Sequence, residues 1–379
     1  MKRLFTIAFC TVAVCAGAQS LSTILASIEK NNTRLAALAS ENAATVAQLG
    51  SETSIVGPTS VEYSPFFGNA DGLASSELIV SQEFDFPTLG AMRKQSVNAQ
   101  QHVLDLQYQA ERRDIVLEAK KLCYDISAAV CTRNLLEQRL LTADSLLAAT
   151  TTSMNRGNAT IIDVNRIKMN RMEVNTQLVQ ARGEIATLAS QLQGLNGGIP
   201  IENIDNLVLA SEPACDKSAP TLEQEIAQAQ FNAATHDIKV AEKGWLPSLT
   251  VGYRRNTDLK DATNGFIVGV SMPLFSNSGK VKAARARQQA AMKQVDDART
   301  EAQNRTHALT TQAQQLRATI DSYNLPLMQE TLALINKAVR AGALTVTEYY
   351  NQADRIHAAM LEQISLENKY NKLMCDLNR

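Results

Sequence analysis

Four stretches of this chain alternate apolar and polar residues, and long runs with helical spacing separate them. Leu78, Val80, Phe84 and Phe86 share one side of the second stretch; Glu77, Ser81, Glu83 and Asp85 share the other. Leu249, Val251 and Tyr253 oppose Thr250, Gly252 and Arg254 in the third. Phe266, Val268, Val270, Met272 and Leu274 oppose Ile267, Gly269 and Ser271 in the fourth. Successive side chains of a strand point to opposite faces, so this period of two predicts strands near 60–67, 77–87, 248–257 and 265–275. Strands of about ten residues with one apolar face suit the wall of a transmembrane β-barrel. An ordinary half-buried sheet alternates in the same way. Four strands do not close a barrel around a lumen, so a membrane-spanning reading requires several chains.

Between the strands the period lengthens. Ile115, Ala119, Leu122, Ile126, Ala129, Leu136, Leu140, Ala143 and Leu147 keep three-four spacing, with Arg133 filling the one gap. Leu178, Ala181, Ile185, Leu188, Leu192 and Leu195 repeat it. A seam sustained this long packs helix on helix in the manner of a coiled coil. The pattern predicts helices over about 20–48, 90–154, 160–195, 220–243, 278–340 and 345–377. The longest, at about 65 residues, runs roughly 100 Å at 1.5 Å per residue, a rod that a globular core has no use for. Pro326 is expected to kink or interrupt its helix, because it lacks an N–H and its ring meets the preceding turn. Leu141 stands near the equivalent place in the earlier rod.

The same elements occur twice in the same order: helix, strand, loop, strand, long helix, turn, long helix. "VEY" at 61–63 matches "VGY" at 251–253, and "MNRGNATIIDVNR" at 154–166 matches "VRAGALTVTEYYN" at 339–351. Gly157 aligns with Gly342, Thr160 with Thr345 and Asp163 with Glu348, at an offset of about 185–190 residues throughout. This is a tandem duplication; the period is too long for a solenoid. It divides the chain into a leader at 1–18, a first repeat over 19–196, a linker over 197–219 and a second repeat over 220–379. The two repeats are expected to form one intertwined domain. Thr160 with Asp163, and Thr345 with Glu348, read as capping boxes that start a helix. Gly157 and Gly342 suit the left-handed close of the helix before. Each half therefore carries a helical hairpin with a tight tip.

Charge and composition narrow the function. Net charge is −1, and phosphate binding needs clustered Lys and Arg, so nucleic acid is excluded as a partner. The opening "MKRLFTIAFCTVAVCAGAQS" has basic Lys2 and Arg3, an apolar run from Leu4 to Val14 and an Ala16-Gly17-Ala18 cleavage signal. Export with cleavage after Ala18 is expected; the alternative is lipidation at Cys15, although Val14 stands where that signal wants a small residue. Beyond Ala18 remain Cys123, Cys131, Cys215 and Cys375, none in a C-x-x-C, which read as buried or incidental thiols. His102, His236, His307 and His357 are isolated on predicted helices and read as solvated. There is no His-x-x-x-His, nucleophile elbow or phosphate loop, so no enzyme activity, cofactor or metal site is expected. Trp245, just before the third strand, fits either an interfacial aromatic girdle or packing at the foot of the strand.

Several of these segments resemble one known family. "GVSMPLFSNSGKVKAARARQQAA" is similar to the strand-to-helix signature of TolC-like outer-membrane efflux proteins, and "AVRAGALTVTEYYNQADRIHAAMLEQISLENKYNKLM" to their second hairpin tip and last helix. "WLPSLTVGYRRN" resembles their third strand, and "NRGNATIIDVNRIKMNRMEVNTQLVQARGEIATLASQLQGLNGG" their first hairpin. The likeness spans nearly all of the chain after the leader. It implies a mainly α fold with a small β part and a homotrimer. Each chain then gives four strands to a twelve-stranded barrel in outer-membrane lipid, and long coiled-coil hairpins continue it as an α-barrel through the periplasm. The implied role is a passive exit duct that receives substrates from an inner-membrane transporter and a periplasmic adaptor protein.

The resemblance also implies roles for individual residues. Pro87 and Gly90, and Pro273 and Gly279, mark where the β wall becomes the α wall; Pro ends ladder pairing and the small residues permit the change of direction. The adaptor docks on the tips, at Arg156, Gly157, Asn158, Ala159 and Thr160 and at Arg340, Gly342, Ala343, Leu344 and Thr345. Glu348 matches a position of the acidic ring that narrows the pore, and three copies would attract cations. Asn351 stands where better-known members carry an Asp, and Leu344 where they carry an Arg that ties the closed state. Glu348, Tyr349 and Arg355 are the expected replacements for those ion pairs. Two alternatives remain at this point. A periplasmic coiled-coil structural or adaptor protein would share the helices and the leader, but it has no need of paired apolar-faced strands twice. Within efflux, heavy-metal cation export competes with drug or small-molecule export, and no Met or His cluster argues for metal.

Overall fold

The computed structural model describes residues 20–68, 72–207, 209, 220–258, 261–272 and 277–379. The leader, Cys15, Cys215 and Pro273 lie outside them. Helices α1 (Leu21–Asn31) and α2 (Thr33–Ser51) lead into strands β1 (Val56–Gly68) and β2 (Gly72–Phe84), then helices α3 (Pro87–Asn155) and α4 (Ile161–Leu195). A single 3-10 turn at Ile204–Asn206 precedes α5 (Leu222–Lys243), β3 (Ser248–Asp258), β4 (Ala262–Ser271), α6 (Asn277–Asp321), α7 (Leu325–Arg340) and α8 (Val346–Leu377).

Two boundaries differ from the sequence expectation, each because of particular side chains, and the break expected at Pro326 is present. The first helix is two helices. The Asn32 carboxamide donates to the Leu195 carbonyl at 2.8 Å and accepts the Leu35 N–H at 3.0 Å, so it stops α1 and caps α2. The rod over 278–340 is also two helices. Asn324 accepts the Leu327 N–H at 3.1 Å, and Pro326 sits in the first turn of α7, where its missing N–H costs nothing. Pro87 does not end a strand: β2 stops at Phe84, and Pro87 opens α3.

The chain forms two compact units. The first takes the described residues within Met1–Leu35, Arg112–Lys217 and Arg305–Arg379; the second takes those within Ala36–Glu111 and Ser218–Asn304. In the first unit, the seam positions Ile115, Ala119, Ile126, Ala129, Leu136 and Ala143 of α3 are buried. Cys123, Tyr124, Val130 and Leu146 widen that face beyond a two-helix seam. Leu136 packs with Val174, Leu178 and Ala181 of α4. Toward the hairpin ends, Leu146, Ile167, Ile335, Val346, Tyr349, Tyr350 and Ala353 form a second cluster. Ion pairs Lys121–Asp376 (2.7 Å), Asp125–Lys372 (2.9 Å) and Arg139–Asp354 (2.6 Å) run down the antiparallel α3 and α8. Each such partly exposed pair is worth at most about 1 kcal/mol, so the apolar seam sets the register and the pairs only bias it. Arg133, in the gap of the seam, pairs with Asp205 at 3.0 Å.

An amide knot closes this unit. Asn196 is 1% exposed. Its Oδ1 accepts from Ser27 Oγ at 2.9 Å and Asn31 Nδ2 at 3.2 Å, and its Nδ2 donates to the Ile199 carbonyl at 2.9 Å. Gly197, at φ +67°, lies so near α1 that a Cβ would stand 2.3 Å from the Asn31 carbonyl oxygen.

The second unit holds one antiparallel sheet, in order β1-β2-β3-β4. Val61, Val80, Tyr253 and Phe266 stand opposite one another across all four strands. Phe84, Leu249 and Val270 form one neighbouring row; Thr59, Gln82, Val251 and Val268 form the row between. These rows make one mostly apolar face, interrupted by Thr59 and Gln82, on which Phe266 is 90% and Val268 72% exposed. The other face carries Ser60, Ser81, Gly252 and Ile267 in one row and Glu62, Ile79, Arg254 and Gly265 in the next. Arg254 pairs there with Glu77. Gly252 is required: a Cβ would meet the Val80 carbonyl oxygen at 2.8 Å and hold β2 and β3 apart.

Candidate functional site

The two hairpin tips are built by the same bonds. After α3, the Gly157 N–H donates to the Met154 carbonyl and the Asn158 N–H to the Ser153 carbonyl, both at 2.9 Å. After α7, the Gly342 N–H donates to the Val339 carbonyl at 3.2 Å and the Ala343 N–H to the Ala338 carbonyl at 2.9 Å. Gly157 and Gly342 take φ +79° and +74°, the left-handed turn that lets a helix stop at once. The next helix starts on a capping box. Thr160 Oγ1 accepts the Asp163 N–H at 3.2 Å while Asp163 Oδ2 accepts the Thr160 N–H at 3.0 Å. Thr345 and Glu348 repeat this at 3.2 and 2.9 Å.

The docking residues expected from the sequence divide by burial. Arg156, Gly157, Asn158 and Thr160 are exposed at the first tip, with Ala159 half-buried; Arg340, Gly342, Ala343 and Thr345 are exposed at the second. Leu344 instead packs on the cluster around Tyr349 and anchors the tip. Ile161 and Ile162 add exposed apolar surface beside the first tip.

The four residues expected at a constriction do not act as one group. Glu348, Asn351 and Arg355 are exposed and share one face of α8, three and four residues apart. Tyr349 turns the other way and is 3% exposed, its ring edge-on to Tyr350 at 5.0 Å. Burial pushes the Tyr349 phenol up to about 12. The N–H and then the hydroxyl of Thr345 hold the Glu348 carboxyl below the usual range, so it is charged at neutral pH. That lowered value means its support of the tip is present above the ordinary carboxyl pKa and is lost as pH falls through the lowered one. Asp163 is lowered in the same way by the Thr160 hydroxyl first.

Sequence reasoning missed the residue that joins the tips. Arg166 of α4 donates to Thr347 Oγ1 at 2.9 Å and to Asn351 Oδ1 at 3.5 Å, across to α8. Its place three residues after the Asp163 cap was a usable signal. Thr160→Ala and Thr345→Ala are each expected to destabilise their hairpin by about 1 kcal/mol. Amide exchange at 156–163 and 341–348 would quicken accordingly; unchanged rates would remove the boxes from the account.

The strand-to-helix turn after β2 is stapled. The Asp85 N–H donates to the Ile55 carbonyl at 2.7 Å, and Arg93 pairs with Asp85 at 2.6 Å. At Gly90 a Cβ would stand 2.4 Å from Ile55 Cγ2, so the first turn of α3 needs glycine to seat against the residue that leads into β1. Gly279, in the first turn of α6, has open space around it, and no close approach requires glycine there. Among the described residues no group of three or more His, Cys, Asp or Glu side chains could hold a metal.

Comparison with known proteins places this geometry. Residues 218–375 match the family model described as outer membrane efflux protein. No curated protein matches the chain. The fold is similar to that of the outer membrane protein VceC from Vibrio cholerae, with TM-score 0.75, 14% identity and 94% of each chain covered. It is similar to the CmeC outer membrane channel of Campylobacter jejuni, with TM-score 0.76 and 12% identity over 94% of this chain and 84% of that one. The open MtrE outer membrane channel of Neisseria gonorrhoeae gives TM-score 0.76 and 14% identity over 94% and 88%. Residues 218–375 thus carry an outer membrane efflux protein domain, and the chain over nearly its whole length has the fold of these outer membrane channels.

Proposed function

We propose that this chain is the outer-membrane exit duct of a tripartite efflux system, working as a homotrimer with a periplasmic adaptor and an inner-membrane transporter. One observation carries the reading: the four-stranded sheet has one mostly apolar, exposed face, with a row of apolar side chains from β1 to β4, and two unpaired edges. The row Val61, Val80, Tyr253, Phe266 is one apolar line across it. Unpaired N–H and C=O groups are not tolerated in lipid, so such a sheet enters a bilayer only when β1 and β4 find strands on other chains. Three copies give twelve strands with the polar face, rich in Ser, Gly and Glu, toward the lumen. Under this reading the leader at 1–18 is removed, and the repeats 19–196 and 220–379 with their linker 197–219 build the tunnel. The exposed tips dock the adaptor.

Glu348, Asn351 and Arg355 line the narrow end. Glu348→Gln in the detergent-extracted protein reconstituted into planar bilayers is expected to lower cation over anion permeability several-fold, because a ring of fixed carboxylates is lost. Unchanged ion selectivity would place the constriction elsewhere. A protein that extracts without detergent as a monomer would instead leave the periplasmic scaffold.

A further inference from the structure

A cluster of buried polar atoms in the first unit is left unmatched. Asn170 Oδ1 on α4, and Tyr350 OH and His357 Nδ1 on α8, are buried and meet no hydrogen-bonding protein group. All three residues line one small cavity just behind the tips, walled also by Arg139 of α3 and by Tyr349 and Asp354. The room for a water centre is about 10 Å³, the size at which a single water fits and nothing larger does. The donor and acceptor count also fits one water. It donates to Asn170 Oδ1 and His357 Nδ1 and accepts from the Tyr350 hydroxyl, giving three bonds, the usual number for a buried water. Leaving the three atoms dry would be costly.

We propose that Asn170, Tyr350 and His357 enclose one ordered water that ties α8 to α4, and that protonation of His357 loosens this packing by setting an uncompensated buried charge beside Arg139. The sequence reading placed His357 on a solvated face, but it is 5% exposed. Burial first, and then the Arg139 guanidinium, push its imidazole down to about 4, against a smaller upward pull from the Ala353 backbone. The charges around it leave no counter-ion to spare. Asp354 is already paired with Arg139 at 2.6 Å. Arg166 from α4 acts on Tyr350, and Arg340 from α7 acts on Tyr349. An imidazolium there turns Nδ1 from acceptor to donor. The water can turn over to accept from Nδ1–H and keep its three bonds, but a full charge then stands buried beside Arg139, whose Asp354 partner cannot neutralise both. Because the folded value lies below the ordinary one, the neutral form is the one the fold favours. The contribution is complete above about pH 6.5 and is lost as pH falls from there toward about 4. This inference goes beyond the duct reading and holds whatever the channel conducts.

The test uses the full-length protein in detergent. Hydrogen exchange, corrected for intrinsic rates, is compared at about pH 7 and about pH 4.5. Protection of 345–360 should fall about tenfold or more in the wild type and stay level in His357→Gln, which cannot titrate. An acid loss of the same size in His357→Gln overturns the proposal. A crystal structure of the unaltered protein decides the rest without any variant. A water peak within hydrogen-bond distance of all three atoms supports the site, and a dry cavity sinks it.

Discussion

Val268→Arg is expected to destabilise the lipid-inserted protein by about 2–4 kcal/mol, the cost of a cation near the bilayer midplane on the lipid side of a barrel. Val268 sits mid-strand in β4, opposite Val251, and is among the most exposed apolar side chains of the sheet. Thr250, one residue along β3 from Val251, faces the other way and pairs with Gly269. Thr250→Arg should therefore cost far less, since an arginine there reaches the wet interior. The two variants are compared by urea unfolding in vesicles of outer-membrane lipid, followed by band shift on unheated gels. Equal losses would mean that the sheet has no lipid side, and the duct reading would fall with it.

The second large effect lies in the amide knot. Asn196→Leu keeps the volume of a fully buried side chain but removes an acceptor shared by Ser27 and Asn31 and the donor to Ile199. Each group left without a partner inside the protein costs about 1–3 kcal/mol, so a loss of about 3–5 kcal/mol is expected in denaturant titrations followed by helical circular dichroism. Two neighbouring glycines supply an internal comparison. Gly197 and Gly198 both have positive φ, at +67° and +85°, yet only Gly197 abuts backbone. Gly198→Ala should cost about 1 kcal/mol for its left-handed conformation alone. Gly197→Ala must also push α1 away and should cost clearly more; equal costs would dismiss the knot as a packing constraint.

What was legible in the sequence was local. The strand faces follow from a period of two that each strand carries in itself, and the capping boxes lie within four residues. The Pro326 break needs only proline's missing N–H. What escaped was set by distant partners. Asn32 looks like one more residue in a helical run; it breaks the helix because its amide finds Leu195, far along the chain. His357 is the more instructive miss. Val346, Tyr349, Tyr350, Ala353, Met360 and Leu366 share its face at helical spacing and are buried. That apolar stripe was readable, and it put the histidine inside. Tyr349 was missed for the same reason, since a pore role was assigned by position without asking which face of α8 it occupied. Arg166 could be found as a charge near a cap, but its bonds to Thr347 and Asn351 depend on the pairing of α4 with α8.

The pairing of β2 with β3 has a kinetic consequence. The hairpin tips close over a few residues, and β1 with β2, like β3 with β4, joins across a short connection. Such local contacts form within microseconds. Phe84 and Leu249, in contrast, meet only after three intervening helices have found their places. Closing so long a loop before any contact rewards it is slow. Contact order alone therefore expects the two β-hairpins to form before the sheet is joined, each with an apolar face and a free edge until then. The contact between β2 and β3 is the one in the sheet whose closure spans the most chain.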